Sequence, residues 1–341
     1  MNVRIPLAAA ALTVTALALT ACDGGSDTSA GTDLTPVTAI VSNPFSVGQF
    51  YGLYLLGEQK GFFEDEGIDV TFQEGTGSAT SAQVVAAGNA DFGLNIGLVA
   101  VVNNDDSGAD LKIVARDSAV STYAVVSLGA EIEDPSDLIG KTIGLPEGTT
   151  QAILWSTFLT EAGIDPSEVS TVNVSPANAV TTLAQGRVDG IVTYETSAVP
   201  ALAELGEDDP SVLSFNDYGV EVIPDAGVVA SGTTIEENPE LVEHFVAAVE
   251  KSIAYAIEHP DEIYSAGSAA YPDSFTEGVV SGQTAISAQA FADTTADDQP
   301  YVYTDLDALT STLEMLRSGG VLSAAGDAET YATNDFVPAQ R

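Results

Sequence analysis

The residues DVTFQEGTGSATSAQVVAA, numbered 69–87, place a strand, a short loop and a helix in immediate succession. Residues 69–73 predict a strand, and residues 78–87 predict a helix that starts after two closely spaced glycines. The same order recurs at residues 142–158, where TIGL passes through PEGTT into another helix. Strands followed at once by helices are typical of α/β folds, so we expect α/β winding here.

Strands and helices alternate on both sides of these two units. The further apolar runs at 37–41, 90–94, 112–115, 123–128 and 227–231 predict strands, and residues 48–60 predict a helix. Prolines preceded by Asp134, Asp165 and Ser175 mark helix starts. This punctuation separates residues 126–224 as a compact α/β unit of their own.

The segment after residue 231 is predicted to be helical up to the C-terminus. A long helix starts at Asn238-Pro239 and carries apolar side chains on one face, and His259-Pro260 ends it. With 341 residues and 45% hydrophobic content, the length suggests two lobes rather than one.

The N-terminus predicts export. Arg4 precedes an apolar run at residues 5–19 that is too short for an ordinary spanning helix, so residues 1–21 are interpreted as a signal peptide. The run closes on Leu-Thr-Ala-Cys22, which resembles a bacterial lipobox and predicts that Cys22 is acylated. A chance cysteine after an ordinary signal peptide is the alternative. Residues 22–33 are small and polar, which indicates a lipidated flexible tether.

Cysteine content and charge exclude several functions. Cys22 is the only cysteine, so its lipidation would leave the folded part without a disulfide, a thiolate nucleophile or a thiolate metal site. Fifty acidic residues against nine Lys and Arg give a formal net charge of −41, which excludes nucleic acid as a partner and disfavours long-range attraction of anions. No acidic run has EF-hand spacing, and we predict neither a metal nor a cofactor.

The two strand–loop–helix junctions are the strongest local candidates for a binding site. Thr76 and Ser78 in the first, and Thr149 and Thr150 in the second, lie where free backbone N–H groups begin a helix and can bind polar or anionic groups. Simple helix capping is an equally good interpretation. His244 and His259 lack a catalytic partner in the sequence, and Trp155 is expected in the core.

Three segments near the N-terminus resemble a known family. They are QFYGLY at 49–54, EQKGFFEDEGIDV at 58–70 and VAAGNADFG at 85–93. DLIGKTIGL at 137–145, EAGID at 161–165 and GRVDG at 186–190 follow in the same order. The chain resembles the ABC transporter substrate-binding proteins of the nitrate, sulfonate, taurine and thiamine-precursor superfamily, and DYGV at 217–220 is similar to its pyrimidine-binding branch.

The resemblance implies a fold and a division into lobes. The fold is α/β, a periplasmic-binding-protein fold with two doubly wound lobes joined by a two-strand hinge (type II). Residues 34–125 and 225–341 would form lobe one, and residues 126–224 would form lobe two. A ligand in the cleft would contact both lobes and favour closure.

The resemblance and the strand-end positions together predict ligand contacts. In lobe one the candidates are Asn43, Gln49, Tyr51, Thr76 and Ser78; Tyr123, Thr149, Thr150, Tyr194 and Glu195 complete the set. Residues 192–196 follow GRVDG at the end of a predicted strand of lobe two. By resemblance, Tyr194 there would stack on a ring and Glu195 would accept a hydrogen bond from a ring amine or hydroxymethyl group. A solvated turn is the alternative for both residues.

The predicted function is solute binding for an ABC importer, with a thiamine pyrimidine precursor or related heterocycle as the ligand. The partners would be an ABC permease and its ATPase, the protein a monomer, and the membrane contact the lipid anchor alone. An aliphatic sulfonate, taurine or nitrate is the alternative ligand. Rivals from other classes are a pyrimidine-synthase-like enzyme, disfavoured because no cysteine remains for its motif, and a surface sensor or adhesin.

Overall fold

A computed structural model describes residues 34–42, 48–105, 107–129, 132–147, 149–272, 275–323 and 326–340. The side chains at positions 48–51 and 153 lie outside this description. The predictions for the signal peptide, Cys22 and the tether also fall outside the described residues. Within the described part of the chain, no helix combines the length and the apolar character needed to cross a bilayer.

The first sheet has five strands in the order β2-β1-β3-β10-β4. Their bounds are β1 Thr35–Val41, β2 Ile68–Glu74, β3 Phe92–Gly97, β4 Leu111–Ser118 and β10 Ala226–Ser231. β1 pairs in parallel with β2 and β3, whereas β10 is antiparallel to both β3 and β4. The latest strand in the sequence therefore lies inside the sheet formed by the earliest ones.

The second sheet repeats this plan with the order β7-β6-β8-β5-β9. Its strands are β5 Tyr123–Leu128, β6 Thr142–Leu145, β7 Ser170–Asn173, β8 Gly190–Tyr194 and β9 Pro210–Ser214. β6 pairs in parallel with β7 and β8, and β5 is antiparallel to β8 and β9. The predicted α/β architecture is confirmed.

Helices cover the sheets. They are α1 Gly48–Gln59, α2 Phe62–Asp65, α3 Ser78–Ala86, α4 Leu98–Asp105, α5 Thr150–Glu161, α6 Pro176–Ala184, α7 Glu195–Glu204, α8 Gly232–Glu237, α9 Pro239–Glu258, α10 Pro260–Ala270, α11 Glu277–Thr294, α12 Leu306–Ser318 and α13 Ala328–Tyr331. The long predicted helix is α9, and Pro260 ends it by starting α10. Its apolar face is buried, and there Phe245 stacks on Phe92 of β3 with ring centroids 4.0 Å apart.

Two strands were not predicted, β7 and β9. Every residue of β7 is exposed, so the segment lacks the apolar alternation that identifies strands from sequence. β9 follows the acidic loop at residues 207–209 and has one buried residue, Leu213. The predicted strand at 90–94 is β3, which begins two residues later and ends three residues later.

The sheets are joined by two short connections, residues 119–122 and residues 215–225. The connections pair with each other: Ser121 N–H donates to the Val222 carbonyl at 3.0 Å, and Val222 N–H donates to Ser121 Oγ at 3.0 Å. The predicted lobe boundary at 125/126 falls within β5, and the division into lobes stays a prediction.

The C-terminal helices contact both halves of this arrangement. Leu309, Leu313 and Leu316 of α12 share a hydrophobic cluster with Phe158 of α5. Trp155, expected in the core, is 6% exposed in the same cluster. The α11 helix packs on α7, where a Cβ added at Gly282 would lie 2.7 Å from Pro200 Cγ. The helices after β10 therefore cover elements that belong to both sheets.

Candidate functional site

The carboxyl ends of the parallel strands in both sheets meet at the two connections. In the first sheet, Asp117 lies near the end of β4 and Asp225 directly precedes β10, whose Ala226 pairs with Ser118. In the second sheet, Tyr123 begins β5 and pairs with Tyr194, the last residue of β8. Ligands of doubly wound sheets bind outside these strand ends, so this junction is the expected place for a site.

A cavity lies at this junction, and both polar and apolar side chains line it. The polar lining residues include Asp117, Thr122, Tyr194, Thr196 and Asp225. The apolar lining residues come mostly from helices and include Leu53, Ile253, Ile257, Ile263 and Phe291. Among the described residues that line it, none is a lysine, an arginine or a histidine.

Asp117 is held firmly by one of its two carboxylate oxygens. Tyr54 Oη of α1 donates to Oδ2 at 2.5 Å, and the backbone N–H of Asn95 donates to the same oxygen at 2.6 Å. Asn95 adopts a left-handed backbone with φ of 54°, which asparagine tolerates better than most residues. The other oxygen, Oδ1, is buried and meets no hydrogen-bond partner within the part of the chain that the structure describes.

Asp225 faces the second sheet. Tyr123 Oη donates to Asp225 Oδ1 at 3.0 Å, which links β5 to the residue that precedes β10. The Tyr123 and Tyr194 rings are 5.1 Å apart between centroids and tilted by 56°, so both rings stand beside this carboxylate. Tyr194 thereby places an aromatic surface in the same cavity as the carboxylates of Asp117 and Asp225.

Burial raises the pKa of the carboxyl groups of both Asp117 and Asp225. Burial raises the pKa of Asp117 from 3.8 to about 6, and the hydrogen bonds from Tyr54 and Asn95 only partly oppose this rise. Burial likewise raises the pKa of Asp225 to about 6, and the negative charge of Asp117 contributes to that rise. At neutral pH both side chains are therefore ionised, and the burial of these two negative charges costs free energy.

The cation adjacent to Asp117 in sequence does not offset this charge. Arg116 is buried, and its Nε donates to the Tyr301 carbonyl at 2.7 Å. Its guanidinium also donates to the hydroxyl groups of Thr294 and Thr295. Because side chains alternate across a strand, Arg116 binds the end of α11 and the segment that follows it, while Asp117 lines the cavity.

The predicted contacts in the second sheet take different positions. Tyr194 lines the cavity, and Tyr123 lies behind it in contact with Asp225. Glu195 begins α7, and its N–H donates to the Thr122 carbonyl at 2.7 Å. Glu195 is half-buried. Burial raises the pKa of its carboxyl group, and the negative charge of Asp217 raises it further. Glu195 is not among the residues that line this cavity.

The predicted contacts at the first junction belong to a tight loop. Gly75 N–H donates to the Val41 carbonyl at 2.8 Å, and Gly77 N–H donates to the Ser42 carbonyl at 2.7 Å. Two of the backbone donors proposed for ligand binding are therefore used within the fold. Thr76 is exposed, with its hydroxyl 3.1 Å from that of Thr80. Ser78 Oγ accepts a hydrogen bond from Gly97 N–H at 3.1 Å.

The second junction forms a helix cap. Thr149 Oγ1 accepts from Ala152 N–H at 3.4 Å and donates to the Pro146 carbonyl at 2.7 Å. Thr150 is the first residue of α5 and is half-buried. Asn43 and the side chains of Gln49 and Tyr51 lie outside the described residues. Their predicted roles therefore stay predictions.

Sequence reasoning missed both aspartates of the cavity. The available signal was a charged pair, Arg116-Asp117, that closes an otherwise apolar strand. Asp225, in turn, immediately precedes the apolar strand β10. An acid at the end of a buried strand is expensive to desolvate, so its presence there indicates a partner or a function. Nothing in the sequence shows that these two residues, 108 positions apart, line one cavity.

Comparison with known proteins gives consistent results. A family model described as NMT1/THI5 like matches residues 48–263. A putative binding protein of Brucella abortus is 26% identical over 236 residues, covering 67% of this chain and 72% of that protein. The formylaminopyrimidine-binding protein of Halalkalibacterium halodurans is 26% identical over 210 residues, covering 60% of this chain and 62% of that protein.

Solved structures share the architecture at lower identity. The periplasmic aliphatic sulphonate binding protein SsuA from Escherichia coli superposes with a TM-score of 0.66 and 14% identity, covering 86% of this chain and 91% of that one. This likeness confirms the predicted periplasmic-binding-protein fold. One relative is named as an enzyme, the 4-amino-5-hydroxymethyl-2-methylpyrimidine phosphate synthase of Legionella pneumophila, at 23% identity, covering 62% of this chain and 66% of that protein.

Proposed function

This chain belongs to the NMT1/THI5-like family and is an extracytoplasmic solute-binding protein of the ABC-import type; we propose that its solute is a thiamine pyrimidine precursor or a related heterocycle. The observation that carries the proposal is the cavity between the strand ends, whose lining combines the aromatic ring of Tyr194 with polar side chains and apolar helix residues. Aromatic and apolar side chains suit a flat ring, and the polar side chains suit its substituents. The formylaminopyrimidine-binding relative supports the same ligand class.

An aliphatic sulfonate, taurine or nitrate is a less suitable occupant. An anion would lie beside Asp117 and Asp225, and no cation lines the described part of the cavity to offset the repulsion. The likeness to the sulphonate binding protein concerns the fold, which many ligand classes share. We therefore rank these anions below the heterocycle.

Enzymatic turnover is the weaker functional class. The chain contains a single cysteine, at position 22, so a cysteine-rich catalytic motif has no residues to form it. Within the described cavity lining, neither a histidine nor a lysine stands beside the carboxylates to act as a base or a nucleophile. Binding followed by delivery to a permease and its ATPase needs neither group.

We propose that the two sheets are the cores of two lobes that close on the ligand. The paired connections at 119–122 and 215–225 would act as the hinge, and Tyr123 reaches across it to Asp225. A ligand that contacts both sides favours the closed form by its differential affinity. X-ray scattering should show a smaller radius of gyration at saturating ligand, and an unchanged radius would contradict the clamp.

We propose further that the protein acts as a monomer anchored through acylated Cys22. Several acyl chains on one residue would suffice for a stable anchor. Cys22→Ser should release the protein from the membrane fraction without lowering the melting temperature of the folded part. Retention of the variant in washed membranes would contradict the anchor and leave the ligand proposal intact.

Titration calorimetry tests the ligand class directly. The probes are hydroxymethylpyrimidine, formylaminopyrimidine, riboflavin, taurine, an alkanesulfonate and nitrate. We expect one of the heterocycles to bind most tightly, with loss of affinity in Tyr194→Ala. Selective binding of a sulfonate or of taurine, unaffected by Tyr194→Ala, would overturn the ligand assignment while leaving the transport role in place.

A further inference from the structure

The cavity contains a charge imbalance that the fold itself does not resolve. Asp117 and Asp225 come from different segments of the chain and line the same space. No basic side chain lines the described part of that space, and the adjacent Arg116 is held by hydrogen bonds to Tyr301, Thr294 and Thr295. A positively charged bound molecule would balance these carboxylates.

The geometry of the Asp117 carboxylate suits a positively charged hydrogen-bond donor. Oδ2 accepts two short hydrogen bonds, from Tyr54 and from the left-handed backbone of Asn95, so the side chain is fixed in orientation. Oδ1 is buried, has no hydrogen-bond partner among the described residues, and belongs to a side chain that is 4% exposed and lines the cavity. Buried acceptors of this kind are rare because each costs desolvation free energy, and a bound donor removes that cost.

Asp225 is anchored in a comparable way from the other sheet. Tyr123 donates to Oδ1, and the Tyr194 ring, 5.1 Å from the Tyr123 ring between centroids, lines the same cavity. An aromatic ring near two carboxylates favours a cation, because the face of the ring carries partial negative charge. Leu53, Ile263 and Phe291 also line the cavity and offer apolar surface to the remainder of the ligand.

We propose that the ligand is bound as a small planar cation, of the amidinium or protonated amino-heterocycle type, whose N–H groups donate to Asp117 Oδ1 and to Asp225. The cationic end lies between the two carboxylates, and the ring lies against Tyr194 and the apolar helix residues. This inference rests on the proposed solute-binding function and adds the charge of the solute and the residues that select it. A forked N–H donor suits carboxylate oxygens better than a single ammonium does.

The test uses three probes of equal size and different charge: benzamidine, benzamide and benzenesulfonate. Calorimetry should show that benzamidine binds at least tenfold more tightly than benzamide and that benzenesulfonate does not bind. Asp117→Asn should abolish the preference for benzamidine, and Asp225→Asn should reduce it. Asp209→Asn, an exposed site in an acidic loop, makes the same change in net charge and should leave all affinities unchanged.

Three outcomes would overturn the inference: equal binding of benzamide, binding of benzenesulfonate, or no binding of benzamidine at millimolar concentration. Circular dichroism establishes that each variant is folded, and Asp225→Asn gives a second test if Asp117→Asn does not fold. The two proposals fail separately. If hydroxymethylpyrimidine binds with the same affinity in both variants, the heterocycle stands and the cation fails. If benzamidine binding depends on Asp117 but no pyrimidine binds, the cation proposal stands and the pyrimidine proposal fails.

Discussion

Replacing Asp117 with asparagine should stabilise the ligand-free protein, and increasingly so as the pH rises. The amide oxygen of asparagine can still accept the hydrogen bonds from Tyr54 and Asn95 that now reach Oδ2. The variant loses the buried negative charge, which raises the pKa of Asp225 in the same cavity. Asp117 would then favour ligand binding while lowering the stability of the ligand-free protein.

The magnitude follows from the pKa of Asp117, which burial raises from 3.8 to about 6. Because the folded state holds its proton more tightly, the stability present below pH 3.8 is lost as the pH rises towards 6 and is fully lost above it. At about 1.4 kcal/mol per pKa unit, the wild-type protein should lose about 2 kcal/mol relative to the variant between pH 4.5 and 7.5. Removing the charge also relieves Asp225, which adds to the difference.

Urea unfolding followed by circular dichroism, without ligand, measures this difference. The free energies of unfolding of wild type, Asp117→Asn and the exposed control Asp209→Asn are compared at pH 4.5, 6.0 and 7.5. The advantage of Asp117→Asn should grow with pH, whereas Asp209→Asn should stay close to wild type throughout. A constant difference, or one that shrinks as the pH rises, would refute the idea that Asp117 is a buried carboxylate held at a cost.

Three further predictions concern the surroundings of the cavity. Arg116→Met should lower the free energy of unfolding by about 3 kcal/mol because it removes a buried cation bonded to Tyr301 and Thr294; urea unfolding checks this, and an equal loss in the exposed Arg187→Met control would contradict it. Gly282→Ala should weaken ligand binding about tenfold by calorimetry, since the new methyl group would force α11 away from α7; unchanged affinity would show that this contact plays no part in closure. Tyr194→Ala should cost about 1 kcal/mol of binding free energy while Tyr194→Phe retains most of it; equal losses in both variants would indicate a role for the hydroxyl rather than the ring.

Local signals were sufficient for most of the fold. Proline positions predicted helix starts after Asp134, Asp165 and Ser175, and the structure has a 3-10 turn at the first two and an α-helix at the third. The apolar periodicity of α9 and its end before Pro260 were also confirmed. These features depend on neighbouring residues in the chain, which is why the sequence reveals them.

The site was predicted less completely. Tyr194 lies at the end of β8, as the strand-end rule expected, and it lines the cavity, while its contact with a ligand stays a prediction. The junction loop at 74–78 has the composition of a ligand-binding loop. Its Gly75 and Gly77 N–H groups nevertheless donate to the carbonyls of Val41 and Ser42 at the end of β1. Composition identifies a helix start, but it does not reveal which acceptor its donors will meet.

The sequence by itself determined the α/β class, the order of most strands and helices, the strongly acidic character and the family. Each of these follows from composition or from residues close together in the chain. Only the tertiary structure decided that Asp117 and Asp225 line one cavity, and that Arg116 is directed elsewhere. The reason is that β10 comes after all five strands of the second sheet in the chain and yet pairs with strands of the first sheet. The charge balance of a site depends on such pairings between distant residues.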